Sequence, residues 1–236
     1  MNNDVESSFS FSQISSRDVF LTLKNLKNKS SSGFDGLNTI FLKRINSNIA
    51  YPLSIIINQS LNTGIIPDQL KTAKIIPLFK KNDDSIFDNY RPIALLPTFS
   101  KILEKVVYNQ IYKYLDDNNL ISPSQHGFRK NHSTETAVIE LKHYLKSNMN
   151  KKHVPIGLFL DLSKAFETIN FVILLYKLSH LGINGIAISW FENYLKNRKQ
   201  FVSFNDVNSD FLTPKTGVPK GSVLGPLLFL IYISMI

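Results

Sequence analysis

Asp161 sits in the stretch FLDLSKAFE, directly after the apolar run Ile156 to Leu160. A carboxylate at the end of a buried strand is costly unless something pairs with it. A divalent cation is one such partner, and Mg²⁺ favours one or two carboxylates together with substrate phosphates. An acid at such a place also serves as a helix cap or ion-pair partner, so Asp161 alone does not specify a metal. Phe166 follows five residues later. An aromatic there is ordinary core, or, beside a nucleotide, a wall that excludes the 2′-hydroxyl distinguishing RNA from DNA. The segment GVPKGSVLGP, Gly217 to Pro226, combines small and rigid residues. Such a turn lets backbone approach a ligand closely and feeds a helix N-terminus that favours anions. Lys80, Lys81 and Arg91 are a solvated charge run, or a clamp on a triphosphate or a template backbone.

These residues need elements to hold them. The run Ile156 to Leu160 reads as a buried strand that delivers Asp161 at its end. Ala73 to Phe79 is apolar and β-branched and reads as a strand, followed by a charged, turn-rich stretch from Lys80 to Asn89. Phe99, Ile102, Leu103, Val106, Val107, Ile111, Tyr114 and Leu115 share one helical face. Other helices are expected from Ser16, as cap, to Leu26, and from about Asn38 to Leu61 with a break near Pro52. Further ones run from Thr134 to Lys146 behind Ser133, from Leu174 to Leu181 ending at Gly182, and from Ile186 to Leu195. Gln200 to Phe204 reads as a strand, Thr213 to Gly221 as a loop, and a buried helix starts near Ser222. Met1 to Ser16, rich in Ser and Asn, is expected to be flexible. Helices and strands mix without regular alternation, which predicts an α+β fold.

Composition narrows the partners. The 236 residues carry 27 Lys and Arg against 18 Asp and Glu, a net charge of +9. That balance favours an anionic partner, most often nucleic acid. The absence of cysteine excludes disulfides and thiolate metal sites. No secretory signal is visible, and the longest apolar run, Val223 to Ile233, is short of the roughly 20 residues that a spanning helix needs. The expected setting is intracellular, nucleus or cytoplasm, without a membrane.

From Leu23 to Ile233 the chain resembles the reverse transcriptase of non-LTR (LINE-type) retrotransposons, especially the jockey-like group. The resemblance rests on SSGFDGLNTIFLK, IIPLFKKNDD, NYRPIALLPTFSKILEKVVYNQI, QHGFRKNHSTETAV, FLDLSKAFETIN, the Trp190-to-Gln200 segment and TGVPKGSVLGPLLFLIYI, in family order. It implies a right-hand polymerase fold: a flexible segment at 1–22, fingers over 23–150, part of the palm over 151–236, and no thumb. It also implies RNA-directed DNA polymerase activity on an RNA template, a DNA primer and dNTPs. Asp161 matches the first catalytic aspartate, a ligand of both Mg²⁺ ions, and the Leu162 carbonyl is an additional ligand. Phe166 matches the gate that prefers deoxynucleotides. Lys80 and Arg91 match fingers residues that meet the triphosphate. Gly217, Pro219, Lys220 and Gly221 fall in the loop against nucleotide and template.

Three departures from the family pattern stand out. Glu167 occupies a position that is usually Asp, and Lys220 one that is usually Gln. Lys has no acceptor and adds charge, which bears on nucleotide binding. The A-D-D motif that supplies the family's second carboxylates is not in the sequence. Asp206 and Asp210, in a polar loop, are not expected to stand in. The chain as given is therefore expected to be inactive, from a truncated copy or an incomplete frame. The alternative is a remnant that binds RNA or an RNA–DNA hybrid without chemistry.

Overall fold

The computed structural model describes residues 7–162, 164–205 and 207–234. Among these residues it is a mixed α and β structure with eight α-helices and a four-stranded sheet. Helices α1 (Ser16–Asn25), α2 (Thr39–Arg44) and α3 (Asn46–Thr63) come first. Strands β1 (Thr72–Phe79) and β2 (Tyr90–Leu95) form a hairpin, and helix α4 (Thr98–Asp117) follows. Then come α5 (Thr134–Asn150), α6 (Phe171–His180) and α7 (Gly185–Leu195). Strands β3 (Lys199–Phe204) and β4 (Val207–Asn208) precede the last helix, α8 (Gly225–Ile233).

The sheet order is β2-β1-β3-β4. β1 runs antiparallel to β2 and parallel to β3, and β4 closes a small antiparallel pair. Pro77 of β1 lies opposite Pro92 of β2. Neither has an N–H, so this pair must fall at a non-hydrogen-bonded position of the ladder. Pro92 is tolerated because β2 is an edge strand. No strand is expected from the sequence over Tyr90–Leu95, so β2 is an addition made by the structure.

One large core joins the helices. Its centre is α7, where Trp190, Phe191, Tyr194 and Leu195 are all buried. Trp190 stacks on Tyr194 with ring centroids 5.5 Å apart and donates from Nε1 to Ser60 Oγ at 3.0 Å. The expected stripe of α4 faces this core: Ile102, Leu103, Val106, Val107, Ile111 and Leu115 are buried, with Phe99 and Tyr114 packed at its margin.

Several local expectations are corrected. The cap of α1 is Ser15, one residue earlier than expected. Its side chain accepts from Asp18 N while Asp18 accepts from Ser15 N, a capping box that fixes the start. The break in the second helical stretch lies at Ile45, between α2 and α3, and Pro52 sits inside α3. Tyr51 and Pro52 face outward, so the carbonyl that loses its partner to proline reaches solvent. The N-terminal segment from Ser7 is anchored rather than loose. Phe9 is 7 % exposed, bridges to Ile183, and meets Phe11 and Tyr114 edge to face. Two apolar rings outweigh the polar composition around them. Met1 to Glu6 lie outside the described residues.

The largest correction concerns the run Ile156 to Leu160. It forms no strand and is open to solvent, with Ile156 at 94 % and Phe159 at 82 % exposure. An apolar run becomes a buried strand only when neighbours take both its backbone edges and its side chains. Among the described residues none does. Asp161 is exposed as well.

Because Phe9 holds the segment to the core, Phe9→Ala should lower the unfolding free energy by about 3 kcal/mol. Urea denaturation of the full chain measures it. An unchanged midpoint would mean that the segment is not docked.

Candidate functional site

The loop between β4 and α8 is the best-defined part of the site. It is tied on both sides by its backbone. Gly217 N donates to Ile169 O and Val218 N to Phe166 O, each at 2.8 Å, and Thr216 Oγ1 donates to Glu167 O at 3.0 Å. On the other side Ala94 N of β2 donates to Lys220 O at 3.1 Å. Ala94 shares the ladder phase of the Pro92–Pro77 pair, so its N–H points away from β1 and is free to take the loop. The loop thus covers the outer edge of the sheet and rests against the residues around Phe166.

Two glycines make this threading possible. Gly217 has φ +84°, and a Cβ there would lie 2.7 Å from Glu167 O. Gly221 has φ +105°, and a Cβ there would lie 2.9 Å from Ala94 O. Both positions need the left-handed region and close main-chain approach, which only glycine supplies.

Phe166 is half-buried and belongs to an aromatic cluster. Its ring lies 5.0 Å from Phe229 of α8 and 5.9 Å from Phe128. Phe128 holds φ at +59°, which turns the backbone at QHGFR and brings the ring to Phe166. Lys220 forms an ion pair with Glu167, each side chain 38 % exposed. Solvent screening leaves such a pair worth about 0–1 kcal/mol. The two positions that depart from the family pattern are therefore each other's partners.

The loop is held at a fixed height by Glu104 of α4, a residue that sequence reasoning passed over. Glu104 is 1 % exposed. Its Oε2 accepts from Val223 N at 2.5 Å and Leu224 N at 3.3 Å, at the start of α8. Its Oε1 accepts from Tyr194 Oη at 3.1 Å and Ser100 Oγ at 3.3 Å. Burial pushes its carboxyl above the usual glutamate value, against the pull of Arg198 and these hydrogen bonds. Burial, with Glu104 beside it, also pushes the Tyr194 hydroxyl well up. The signal was present in SKILEKVV, where an acid occupies the core stripe between Ser100 and Val107.

The other expected residues are not gathered at one point. Arg91 and Lys80 are exposed; Lys80 N donates to Asn89 O at 2.8 Å, extending the hairpin. By strand alternation Arg91 lies on the face opposite Pro92 and Ala94, which line a cavity with Gly217, Pro219 and Lys220. Asp161 and Leu162 lie on the exposed segment before Phe166. Among the described residues no group of three or more His, Cys, Asp or Glu could hold a metal ion, so the donor set present does not fit a two-metal centre. Asp206 lies outside the described residues.

A carboxyl raised on folding contributes stability that is complete below its unfolded value, near 4.5, and lost as pH rises through the folded value. Relative to Glu104→Gln, the native chain should therefore lose stability from pH 4.5 toward neutrality. Urea midpoints of both proteins across that range check this. Parallel curves would mean that the carboxylate is not desolvated.

Comparison with known proteins places this geometry. The family model described as reverse transcriptase (RNA-dependent DNA polymerase) matches residues 79–236. The chain is 30 % identical over 222 residues to the "RNA-directed DNA polymerase from mobile element jockey" of Drosophila melanogaster, covering 91 % of this chain and 24 % of that protein. It is 29 % identical over 220 residues to the "Probable RNA-directed DNA polymerase from transposon BS" of the same organism, again 91 % of this chain and 24 % of that protein. A solved structure titled "Partial Cas6-RT-Cas1--Cas2 complex" overlaps 91 % of this chain and 32 % of its own at 21 % identity, with a TM-score of 0.46. The chain spans about a quarter of the length of these curated relatives. The chain belongs to the reverse transcriptase family, as a domain of the non-LTR retrotransposon type.

Proposed function

We propose that this chain is the nucleotide-selecting and template-holding part of an RNA-directed DNA polymerase. Residues 23–150 act as fingers and 151–236 as part of the palm. The observation that carries the reading is the loop Gly217–Gly221, threaded between the Phe166 backbone and the edge of β2. On this reading the threaded loop serves as the flat side of a nucleotide pocket, next to an aromatic ring. Phe229 and Phe128 brace Phe166, so the ring resists displacement. A ribose carrying a 2′-hydroxyl would collide with it, and a deoxyribose would not. Arg91, and Lys80 beside it, offer charge to a triphosphate. The net charge of +9 suits an RNA template and a DNA primer. Such a protein works inside the cell, in nucleus or cytoplasm; no helix among the described residues is long and apolar enough to cross a membrane.

Phosphodiester formation in this family would use two Mg²⁺ ions held by several carboxylates. Asp161 alone does not offset the repulsion between two dications about 4 Å apart. We infer that these 236 residues by themselves bind nucleic acid without extending a primer.

Primer extension on an RNA template with Mg²⁺ and dNTPs, using this chain and Asp161→Ala, tests both statements. Neither protein should extend, and both should bind RNA with an affinity that falls as salt rises. Extension lost in the variant would overturn the inactivity. RNA binding that is absent or indifferent to salt would overturn the nucleic-acid reading.

A further inference from the structure

The cavity between the loop and the sheet has a volume of about 390 Å³. Ala73, Ile75, Pro92 and Ala94 form its sheet wall, on the face turned away from Arg91. Its charged lining comprises Arg198, Lys199, Lys215, Lys220 and one carboxylate, Glu167. Arg198 is 4 % exposed, and its Nη1 donates to Tyr194 O at 3.1 Å. Its Nη2 has no hydrogen-bond partner among the described residues. That nitrogen is itself closed to the cavity, and the guanidinium lies over the Tyr194 ring and beside Glu104, so Arg198 lends positive potential to the lining rather than an open donor.

We infer that this cavity is a phosphate-binding site separate from the Arg91 face, and that Glu167 serves there as an internal counterion, held on Lys220 until a phosphate group replaces it. The inference rests on the reading of the loop as facing nucleotide or template. Glu104 offsets Arg198 from within the core, and three lysines against Glu167 leave the lining net positive, which favours an anion. The Glu167–Lys220 pair is half open to water, so it is weak and exchangeable. A phosphate group brings more acceptor oxygens than a carboxylate and bonds strongly to guanidinium and ammonium groups. The departures at 167 and 220 then make joint sense. Lys220 adds a cation to the site, and Glu167 neutralises that cation while the site is empty. Phosphate chemistry of this kind belongs to a nucleotide's triphosphate or to a strand's backbone.

Calorimetric titration of inorganic triphosphate into the full chain tests the inference, with Glu167→Gln, Glu167→Gln/Lys220→Gln and Lys199→Gln/Lys215→Gln as variants. All four substituted positions are at least partly exposed, and far-UV circular dichroism verifies that each variant folds. Glu167→Gln should bind triphosphate about tenfold more tightly than the native chain. The Glu167→Gln/Lys220→Gln variant should lose that gain, and Lys199→Gln/Lys215→Gln should bind more weakly. Equal or weaker binding by Glu167→Gln, or native affinity in Lys199→Gln/Lys215→Gln, would overturn the site. Labelled oligouridine bound to Glu167→Gln separates the two sources. Displacement by triphosphate assigns the site to strand backbone, and its persistence assigns it to the nucleotide. Loss of oligouridine binding with the triphosphate gain intact would overturn the template reading and leave the phosphate site standing. Native oligouridine binding without any Glu167 effect would overturn the site alone.

Discussion

One buried carboxylate sets the geometry around it. Removing an ion from water costs several kcal/mol even after relaxation. Glu104 offsets this with two main-chain N–H donors, two hydroxyls and the nearby charge of Arg198. Hydrogen bonds to a charged group contribute about 1.5–3 kcal/mol each, so the set offsets much of the cost but not all of it, and the carboxyl stays above its usual value. The balance holds only in one arrangement. α4 supplies the acid, α7 the tyrosine, and the residues leading into α8, Val223 and the N-cap Leu224, the two main-chain N–H groups that meet the carboxylate. Shifting any of the three strands a donor or the charge. The loop that leads into α8 inherits its position from this contact, and the Phe166 segment inherits its position from the loop.

Much of this architecture is written in the residue order. The α4 stripe, the Ser133 cap of α5, Gly64 after α3 and the strands β1 and β3 all follow from periodicity and turn chemistry. Gly217 and Gly221 could be assigned to a close backbone approach because few other residues permit it. What escaped depends on contacts distant in sequence. β2 is short, carries Arg91 and Pro92, and exists because β1 offers it an edge. The Glu167–Lys220 pair joins two segments that only the folded loop brings together. The apolar run before Asp161 has the right composition for a strand, but pattern alone does not supply the neighbour that would pair with it.

The sheet separates two chemical environments. Strand alternation puts Arg91 on one side, and Pro92 and Ala94 on the other. One side presents exposed cations near the hairpin tip. The opposite side, roofed by the glycine loop, encloses cations around Arg198. A single edge strand thus keeps these two sets of cations on opposite faces. The prolines facing each other across β1 and β2 keep that hairpin free of extra main-chain donors where the two environments meet.

The uncovered run from Val154 to Leu162 has a consequence for the protein in solution. Val154, Ile156, Leu158, Phe159, Leu160 and Leu162 present apolar side chains next to unpaired main-chain groups. That combination is the template for pairing between copies, and it makes self-association the dominant hazard at high protein concentration. Lys151 and Lys152 before the run, and Pro155 and Asp161 within it, act as gatekeepers that slow strand stacking. Association between copies is therefore expected to begin at a nine-residue stretch rather than on the cationic surface around it.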